Sequence, residues 1–243
     1  MYRRSALLAQ ARFTGVPLRN KFSLDAEAML EAIARDLPAL VWLAYPNIPP
    51  GNYYDASSVE RHVSAAPGLV AIYESYYAYA DATYLPCVLD FPNLVVVRTV
   101  SKIGMAGLRL GYLAGHPDWI AEFDKLRPPY NVSSLTQAVL PLLLAHGSVF
   151  AQQAEAIRAE RARLAAALSS LRSVQVLPTQ TNFGTHPLPH ARPWVDALRR
   201  ANTSSHYLDV PHPILAHSLP LTCAQPPRLH ACINRRHRRL EAT

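Results

Sequence analysis

The sequence predicts an α/β fold in which helices flank a mainly parallel sheet to give three layers, with a smaller α+β domain at the carboxyl end. Segments with helical periodicity alternate with short apolar runs, a pattern typical of parallel strands covered on both faces. Polar residues follow several of these runs, at the strand ends where parallel sheets form binding sites. We expect a large domain over residues 1–145, then a connector helix and the small domain over residues 146–243.

Four elements are predicted in the first part of the chain. Residues 12–18 predict a short strand and turn, and residues 23–37 predict an amphipathic helix with Ser23 as its N-cap. Residues 39–45 form a continuous apolar run that predicts a strand ending at a proline-rich turn. A short helix is predicted after Asp55, because aspartate is a favourable N-cap residue.

Strands and two long helices are predicted after these elements. The strands cover residues 69–72, 94–99 and 108–115, and the helices cover residues 133–146 and 148–171. The second helix carries leucines on one side and arginines largely on the other, so we assign its arginines no chemistry. A further strand near residues 174–184 is predicted to lead into the small domain, and we expect the tail to be poorly ordered.

Composition and charge argue against several classes of protein. Much of the net charge of +7 lies in an arginine-rich tail without interleaved aromatic residues, which indicates a solvated tail rather than a nucleic-acid site. No apolar run is long enough to span a membrane, and the amino-terminal apolar part is too short for a signal peptide. Three cysteines without metal-ligand spacing predict a cytoplasmic protein. His186 and His190 have helical spacing, but the intervening prolines prevent a regular helix, so we expect no metal site.

Lys102 raises a chemical question, because this chain carries its positive charge almost entirely as arginine. Among 24 lysines and arginines, the lysines are Lys21, Lys102 and Lys125. A lysine at a strand end often only carries charge into solvent. However, a desolvated lysine can lose its proton and form a Schiff base with a carbonyl, which arginine cannot do. The position of Lys102 after a buried strand favours such a role.

Four segments of the sequence occur in a recognisable order: LVWLAYPNIPPGN, YESYYAYAD, RTVSKIGMAGLRLGYLAG and RPPYNVSSLTQA. Together they resemble the pyridoxal-phosphate aminotransferases of fold type I, and most of all the histidinol-phosphate aminotransferase family. The similarity extends from Arg12 to Phe183 and is patchy beyond Gly184. It implies transamination of L-histidinol phosphate with 2-oxoglutarate in histidine biosynthesis, small amino- and keto-acid substrates, and a homodimer, with neither nucleic acid nor membrane as a partner.

The resemblance implies pyridoxal 5'-phosphate as the cofactor and gives roles to residues of these segments. Lys102 would be the catalytic residue, bonding to the cofactor's aldehyde and later moving a proton. Thr99, Ser101 and Arg109 would hold the cofactor's phosphate.

Asn47 and Tyr76 would donate hydrogen bonds to the cofactor's phenolic oxygen, again by resemblance. Each residue also has a structural explanation that stays open. Asn47 lies in a proline-rich turn, where asparagine is a common turn former. Tyr76 lies in a tyrosine-rich segment, where an aromatic ring can simply pack in the core.

Three departures from the family bear on activity. Tyr73 stands where the family has the aspartate that pairs with the pyridine nitrogen, and adjacent Glu74 is expected to point to the opposite face. Pro220 stands where the family has an arginine for the substrate's anionic end. The family's N-terminal part, with its phosphate-binding amides, precedes the matched segments, so we expect a truncated form. Two hypotheses remain: an aminotransferase with residual activity, or a non-catalytic fragment that retains a phosphate-binding surface.

Overall fold

The computed structural model describes residues 2–171 and 174–187, positions 195, 196, 198 and 200, and residues 218–222. Several expectations concern other residues and therefore lie outside the described ones. These are the order of the tail with its arginine-rich end, His190, and the two cysteines Cys223 and Cys232. The division into two domains at residue 145 stays a prediction.

The elements used below are numbered in chain order. The helices are α1 (Tyr2–Leu8), α2 (Ala26–Asp36), α3 (Ala56–Ala65), α4 (Pro117–Leu126), α5 (Ser134–Ala145) and α6 (Gly147–Ser169). The strands are β1 (Leu40–Ala44), β2 (Leu69–Tyr73), β3 (Leu94–Thr99), β4 (Gly111–Gly115), β5 (Phe183–Pro187) and β6 (Ser218–Thr222).

The first four strands form one sheet in chain order. β1, β2 and β3 run parallel, whereas β4 runs antiparallel to β3, so the sheet is mainly parallel as predicted. The register places Tyr73 beside both Ala44 and Val97, so the carboxyl ends of β1, β2 and β3 meet at one edge. Thr99 lies beside Gly111, which brings the start of β4 to the same edge. β5 and β6 form a separate antiparallel pair.

Both faces of this sheet are covered by apolar packing. On one face, Ile33 of α2 and Val59 of α3 pack against strand residues that include the fully buried Ile72. On the other face, Ala71 belongs to a smaller cluster that packs against Trp119 of α4. Burial of an aliphatic side chain of this size stabilises the fold by roughly 1.5–3 kcal/mol. The layered arrangement that the apolar strands predict is therefore confirmed.

The helix starts follow from side-chain caps. The Asp55 carboxylate accepts a hydrogen bond from the Ser58 amide, which confirms the predicted cap of α3. The predicted N-cap of α2 is wrong, because Asp25 rather than Ser23 accepts from an amide of the first turn. Asp25 also binds Arg19, and a carboxylate at a helix start interacts favourably with the helix dipole.

Three strand predictions are wrong in extent. Residues 12–18 form no strand, because Arg12 and Thr14 bond to Asp36 at the end of α2 instead of to another strand. β4 begins at Gly111 and not at residue 108, because Arg109 has a left-handed conformation with φ 50°. Among residues 174–182 no strand forms, since threonine hydroxyls fold this segment back onto the Phe183 carbonyl. α1 and α4 were not predicted.

The long helices agree with their predicted extents to within two residues. Ser133 caps α5, and Leu164 and Leu168 of α6 are buried as the periodicity predicts. Arg161 differs from the other α6 arginines, because its guanidinium bonds to main-chain carbonyls elsewhere in the fold. Among the described helices none alone could span a membrane; α5 and α6, bent by 73° at their junction, meet the length and composition test only as a pair.

The turn after β1 is held by the segment that leads into β5. The Thr185 hydroxyl donates to the Pro49 carbonyl at 2.7 Å, and the Gln180 amide donates to the Gly51 carbonyl at 2.7 Å. Gly51 has φ 82°, and a Cβ at this position would lie 2.0 Å from the hydroxyl oxygen of Thr179. Only glycine therefore fits this position without displacing the segment.

His186 of β5 is a buried histidine without a charge partner among the residues that the structure describes. Its side chain is among the buried polar groups, with 2% of the residue exposed, and its Nδ1 lacks a hydrogen-bond partner among the described residues. Burial lowers the pKa of His186 from 6.5 to about 4, because the charged ring would lose its hydration.

The burial of His186 predicts that the folded protein becomes less stable as the pH falls. The pKa of the folded state lies below that of the unfolded chain, so the stabilisation is complete above pH 6.5 and is lost as the pH falls towards 4. At pH 5 the loss should be about 2 kcal/mol relative to neutral pH. In urea unfolding at pH 7.5 and pH 5, His186→Gln should show a correspondingly smaller pH dependence. His116→Gln, at a partly exposed site, is the control, and equal pH dependence of all three proteins would contradict the prediction.

Candidate active site

The candidate site lies at the edge where β1, β2 and β3 end. Asn47 follows β1, Tyr76 follows β2, and the segment that contains Ser101, Lys102 and Arg109 follows β3. The sheet therefore brings together three segments that are distant in sequence, as the polar clusters at the strand ends predict.

Lys102 sits on a short turn whose shape is set by its neighbours. The turn is a 3-10 helix over Val100–Ile103, and the hydroxyl of Thr99 accepts from the Ser101 amide at its start. The Thr99 hydroxyl also donates to the Leu110 carbonyl at 3.1 Å, so its proton is already used within the protein. Gly104 ends the turn with φ 96°, a conformation that glycine adopts without strain.

The amine of Lys102 lies beside the ring of Tyr76. Its Nζ is 5.4 Å from the ring centroid, within the range of a cation–π contact. Lys102 is exposed, whereas Tyr76 is buried and packs edge-on against Phe183 with ring centroids 5.3 Å apart. Burial, and secondarily the nearby Tyr73, raises the pKa of Tyr76, so its phenol stays protonated at neutral pH. The structure thus joins these two predicted residues directly.

Arg109 and Asn47 make contacts within their own turns. The exposed Arg109 guanidinium is 3.4 Å from the Ala106 carbonyl, a long hydrogen bond. Asn47 is buried, and its Nδ2 is 3.3 Å from Asn52 Oδ1, while its Oδ1 accepts from the Ile48 amide at 2.9 Å. These contacts are compatible with the alternative explanation of Asn47 as a turn former, and its role towards a cofactor stays a prediction.

The sequence matches the family described as aminotransferase class I and II over residues 1–198. The chain belongs to this family. It is 47% identical over 227 residues to histidinol-phosphate aminotransferase 1 of Burkholderia lata, covering 93% of this chain and 64% of that protein. It is 51% identical over 179 residues to histidinol-phosphate aminotransferase 2 of Bordetella bronchiseptica, covering 74% of this chain and 49% of that protein. The chain thus spans less than two thirds of the length of these relatives.

Solved structures of this family agree with the fold of the chain. The histidinol-phosphate aminotransferase of Clostridium acetobutylicum superposes with a TM-score of 0.86 at 15% identity, over 98% of this chain and 75% of that one. The Sinorhizobium meliloti enzyme in complex with pyridoxal-5'-phosphate superposes with a TM-score of 0.83 at 25% identity, over 98% and 68% of the chains. The predicted large-domain fold is confirmed, and the small carboxyl-terminal domain stays a prediction.

A buried ion pair between the residue that follows β2 and a residue of β3 was not predicted. Glu74 and Arg98 bond through Oε2 and Nη2 at 2.7 Å, with side chains 1% and 9% exposed. The Glu74 carboxylate also accepts from the Thr83 hydroxyl and the Tyr84 amide, at 2.7 and 2.6 Å. The Arg98 guanidinium lies over the Tyr77 ring, 4.2 Å from its centroid. The one sequence signal was an arginine inside the apolar run of β3.

Tyr73 lies among aromatic rings on the face opposite Glu74. Its ring is 6.0 Å from that of Trp42, which in turn is 5.2 Å from the ring of Tyr2. Because Glu74 is bound by Arg98 behind the sheet, it is not available to act in place of an aspartate at position 73. The expectation that these neighbours face apart is confirmed.

Pro220 lies within β6, opposite Thr185 of β5. Its missing amide hydrogen does not prevent strand pairing here, because proline is tolerated on the edge strands of which a two-stranded sheet consists. Elsewhere among the described residues, no group of three histidine, cysteine, aspartate or glutamate side chains could hold a metal ion.

The Glu74–Arg98 pair should make a large contribution to stability. Glu74→Gln removes the charge but nearly preserves the shape, so it leaves the buried Arg98 cation uncompensated. We expect the free energy of unfolding to fall by about 3 kcal/mol in a denaturant titration. Glu60→Gln, at an exposed glutamate, should change it by no more than about 0.5 kcal/mol. Equal stabilities of the two variants would show that the pair is not energetically important.

Proposed function

We propose that this chain binds pyridoxal 5'-phosphate at the carboxyl edge of its sheet and that its reaction is transamination of L-histidinol phosphate with 2-oxoglutarate. The observation that carries the proposal is the position of Lys102, an exposed primary amine on the turn after β3, beside the Tyr76 ring. The relatives' names supply the substrate, and the Sinorhizobium complex supplies the cofactor.

The residues of the lysine turn suit the phosphate of such a cofactor. The Ser101 hydroxyl has no hydrogen-bond partner in the part of the chain that the structure describes, so it is available to donate. Arg109 presents an exposed guanidinium, whose planar fork matches a phosphate. Because Thr99 already donates to Leu110, its role would be to shape the turn while Ser101 and Arg109 provide the donors.

Tyr76 and Lys102 would act at the aldehyde end of the cofactor. The protonated phenol of Tyr76 can donate a hydrogen bond to a phenolic oxygen, and the weakly bonded amide of Asn47 could supply a second one. The Lys102 Nζ would bind the aldehyde covalently and, once displaced, would hold and transfer the proton. When bound, the cofactor supplies the electron sink that amino-acid side chains lack.

Two positions do not fit the complete reaction and favour a second candidate function. Tyr73 provides no carboxylate to pair with a pyridine nitrogen, so the interaction that would stabilise the protonated ring is missing. Proline at position 220 provides no cation for the substrate's anionic end. The second candidate is therefore a non-catalytic chain that binds a phosphate-bearing ligand without turnover.

We also propose a second copy of the chain as partner and the cytoplasm as location. Large apolar side chains are exposed at the end of α4, in the segment after it and along α5: Leu126, Tyr130, Leu135, Leu142 and Leu144 are 60–97% exposed. Exposed apolar side chains in this number are typical of a surface that contacts another subunit. Cys87 is a free thiol, which suits a reducing compartment.

Covalent trapping tests the proposed cofactor site. Reduction with borohydride in the presence of pyridoxal phosphate should attach the label to Lys102. Its amine lies beside the Tyr76 ring, and the proposed phosphate donors Ser101 and Arg109 belong to the same segment. Peptide mapping by mass spectrometry should find no site-specific label in Lys102→Arg and an unchanged label in Lys125→Arg. Label on Lys21 or Lys125, with none on Lys102, would overturn the proposal.

Turnover separates the two candidate functions. We expect very slow transamination of histidinol phosphate in the unmodified chain, and Tyr73→Asp alone should not restore it because Pro220 leaves the substrate unclamped. Tyr73→Asp with Pro220→Arg should exceed either single variant by roughly tenfold or more, the effect of one charged hydrogen-bonded contact. Leu89→Asp, at an exposed leucine that belongs to neither the site nor the proposed interface, is the control. Fast turnover in the unmodified chain would contradict this expectation, and no gain in the double variant would favour the non-catalytic function.

A further inference from the structure

Tyr79 contacts the main chain of the lysine turn. Its hydroxyl donates to the Lys102 carbonyl, with 2.6 Å between the oxygens. Backbone acceptors near the end of a short helix lack partners inside that helix, so a side-chain donor is the natural partner for this carbonyl. Tyr79 is 5% exposed and packs with Tyr76 and with Ala154 of α6. The contact therefore lies in a desolvated position behind the exposed amine.

The hydroxyl of Tyr79 acts as a donor under ordinary conditions. Burial, and secondarily Tyr76, raises the pKa of Tyr79, so the phenol keeps its proton at neutral pH. Packing alone does not require this hydroxyl, because phenylalanine would fill the same space against Ala154. The hydrogen bond to Lys102 is what distinguishes tyrosine from phenylalanine at this position.

Arg161 binds the main-chain carbonyl of Tyr79. Its Nη1 donates to the Tyr79 carbonyl at 3.0 Å and is 3.3 Å from the Thr181 carbonyl, so α6 holds the main chain of Tyr79. The hydroxyl of Tyr79 then holds the main chain of Lys102. These two hydrogen bonds connect α6 to the lysine turn and involve no residue of the sheet.

We propose that Tyr79 is a positioning residue for Lys102: its hydroxyl fixes the main chain of the turn so that the lysine amine stays beside Tyr76 and faces an incoming aldehyde. This inference rests on the proposed function for the identity of that aldehyde. The pattern YESYYAY contains four tyrosines, and only their contacts in the fold separate Tyr79 from the others.

The test compares lysines within one molecule. The full chain is incubated briefly with pyridoxal phosphate, reduced with borohydride, and digested, and the label on Lys102 is measured relative to Lys21 and Lys125 in the same sample. Tyr79→Phe should lower this ratio by roughly two- to tenfold, the range expected for one hydrogen bond. Tyr84→Phe is the matched control, because it removes another buried hydroxyl, bonded to the Ala56 carbonyl at 3.3 Å. Its ratio should equal that of the unmodified chain.

A general loss of structure would change the labelling of all three lysines and would lower the midpoint of urea unfolding. A change in the ratio alone therefore reports the position of the Lys102 amine and not the stability of the fold. If Tyr79→Phe does not fold, Arg161→Gln should lower the same ratio by releasing the main chain of Tyr79. If Tyr79→Phe folds and its labelling ratio equals that of the unmodified chain, the positioning role is overturned, whereas the proposed function is not affected. Absence of label on Lys102 in the unmodified chain overturns both.

Discussion

The buried pair of Glu74 and Arg98 is the interaction on which the site geometry depends. Both charges are desolvated, so neither is tolerable without the other. The same carboxylate holds Thr83 and Tyr84, which closes the loop that leaves β2 and returns across the sheet edge. Tyr76 and Tyr79 lie on that loop, and so both aromatic contacts of Lys102 depend on a pair located behind the sheet.

Much of the sheet could be predicted because its strands are continuous apolar runs. The bounds of β3 agree with the predicted range, and Asp55 caps α3 as expected, since both signals are local. The strand predicted at residues 12–18 failed because local β-propensity does not form a strand without a neighbour to pair with. Helix α4 was missed although Pro117 stands at its first position, a recognised start signal.

The candidate site was predictable only in part, because some of its contacts join segments that are distant in the sequence. The residues near Lys102 follow from a motif that is contiguous in sequence, so the resemblance identified them. The contacts of Tyr79 with Lys102 and of Glu74 with Arg98 join residues 23 and 24 positions apart in different segments of the fold, and no sequence periodicity encodes them. The hydrogen bond from the Thr99 hydroxyl to the Leu110 carbonyl is likewise not encoded in the motif, and the role of Thr99 towards a phosphate stays a prediction.

The turn that carries Asn47 has a consequence for the order of events during synthesis. The ion pair and the lysine turn use residues close together in the chain, so they can form soon after β4 leaves the ribosome. The Pro49 carbonyl, in contrast, can accept its hydrogen bond only after Thr185 has been synthesised, 136 residues later. Because domains generally fold from the amino terminus as the chain emerges, the nascent protein carries an unfinished Asn47 turn until β5 arrives. The part of the site that appears first in the sequence is therefore completed last.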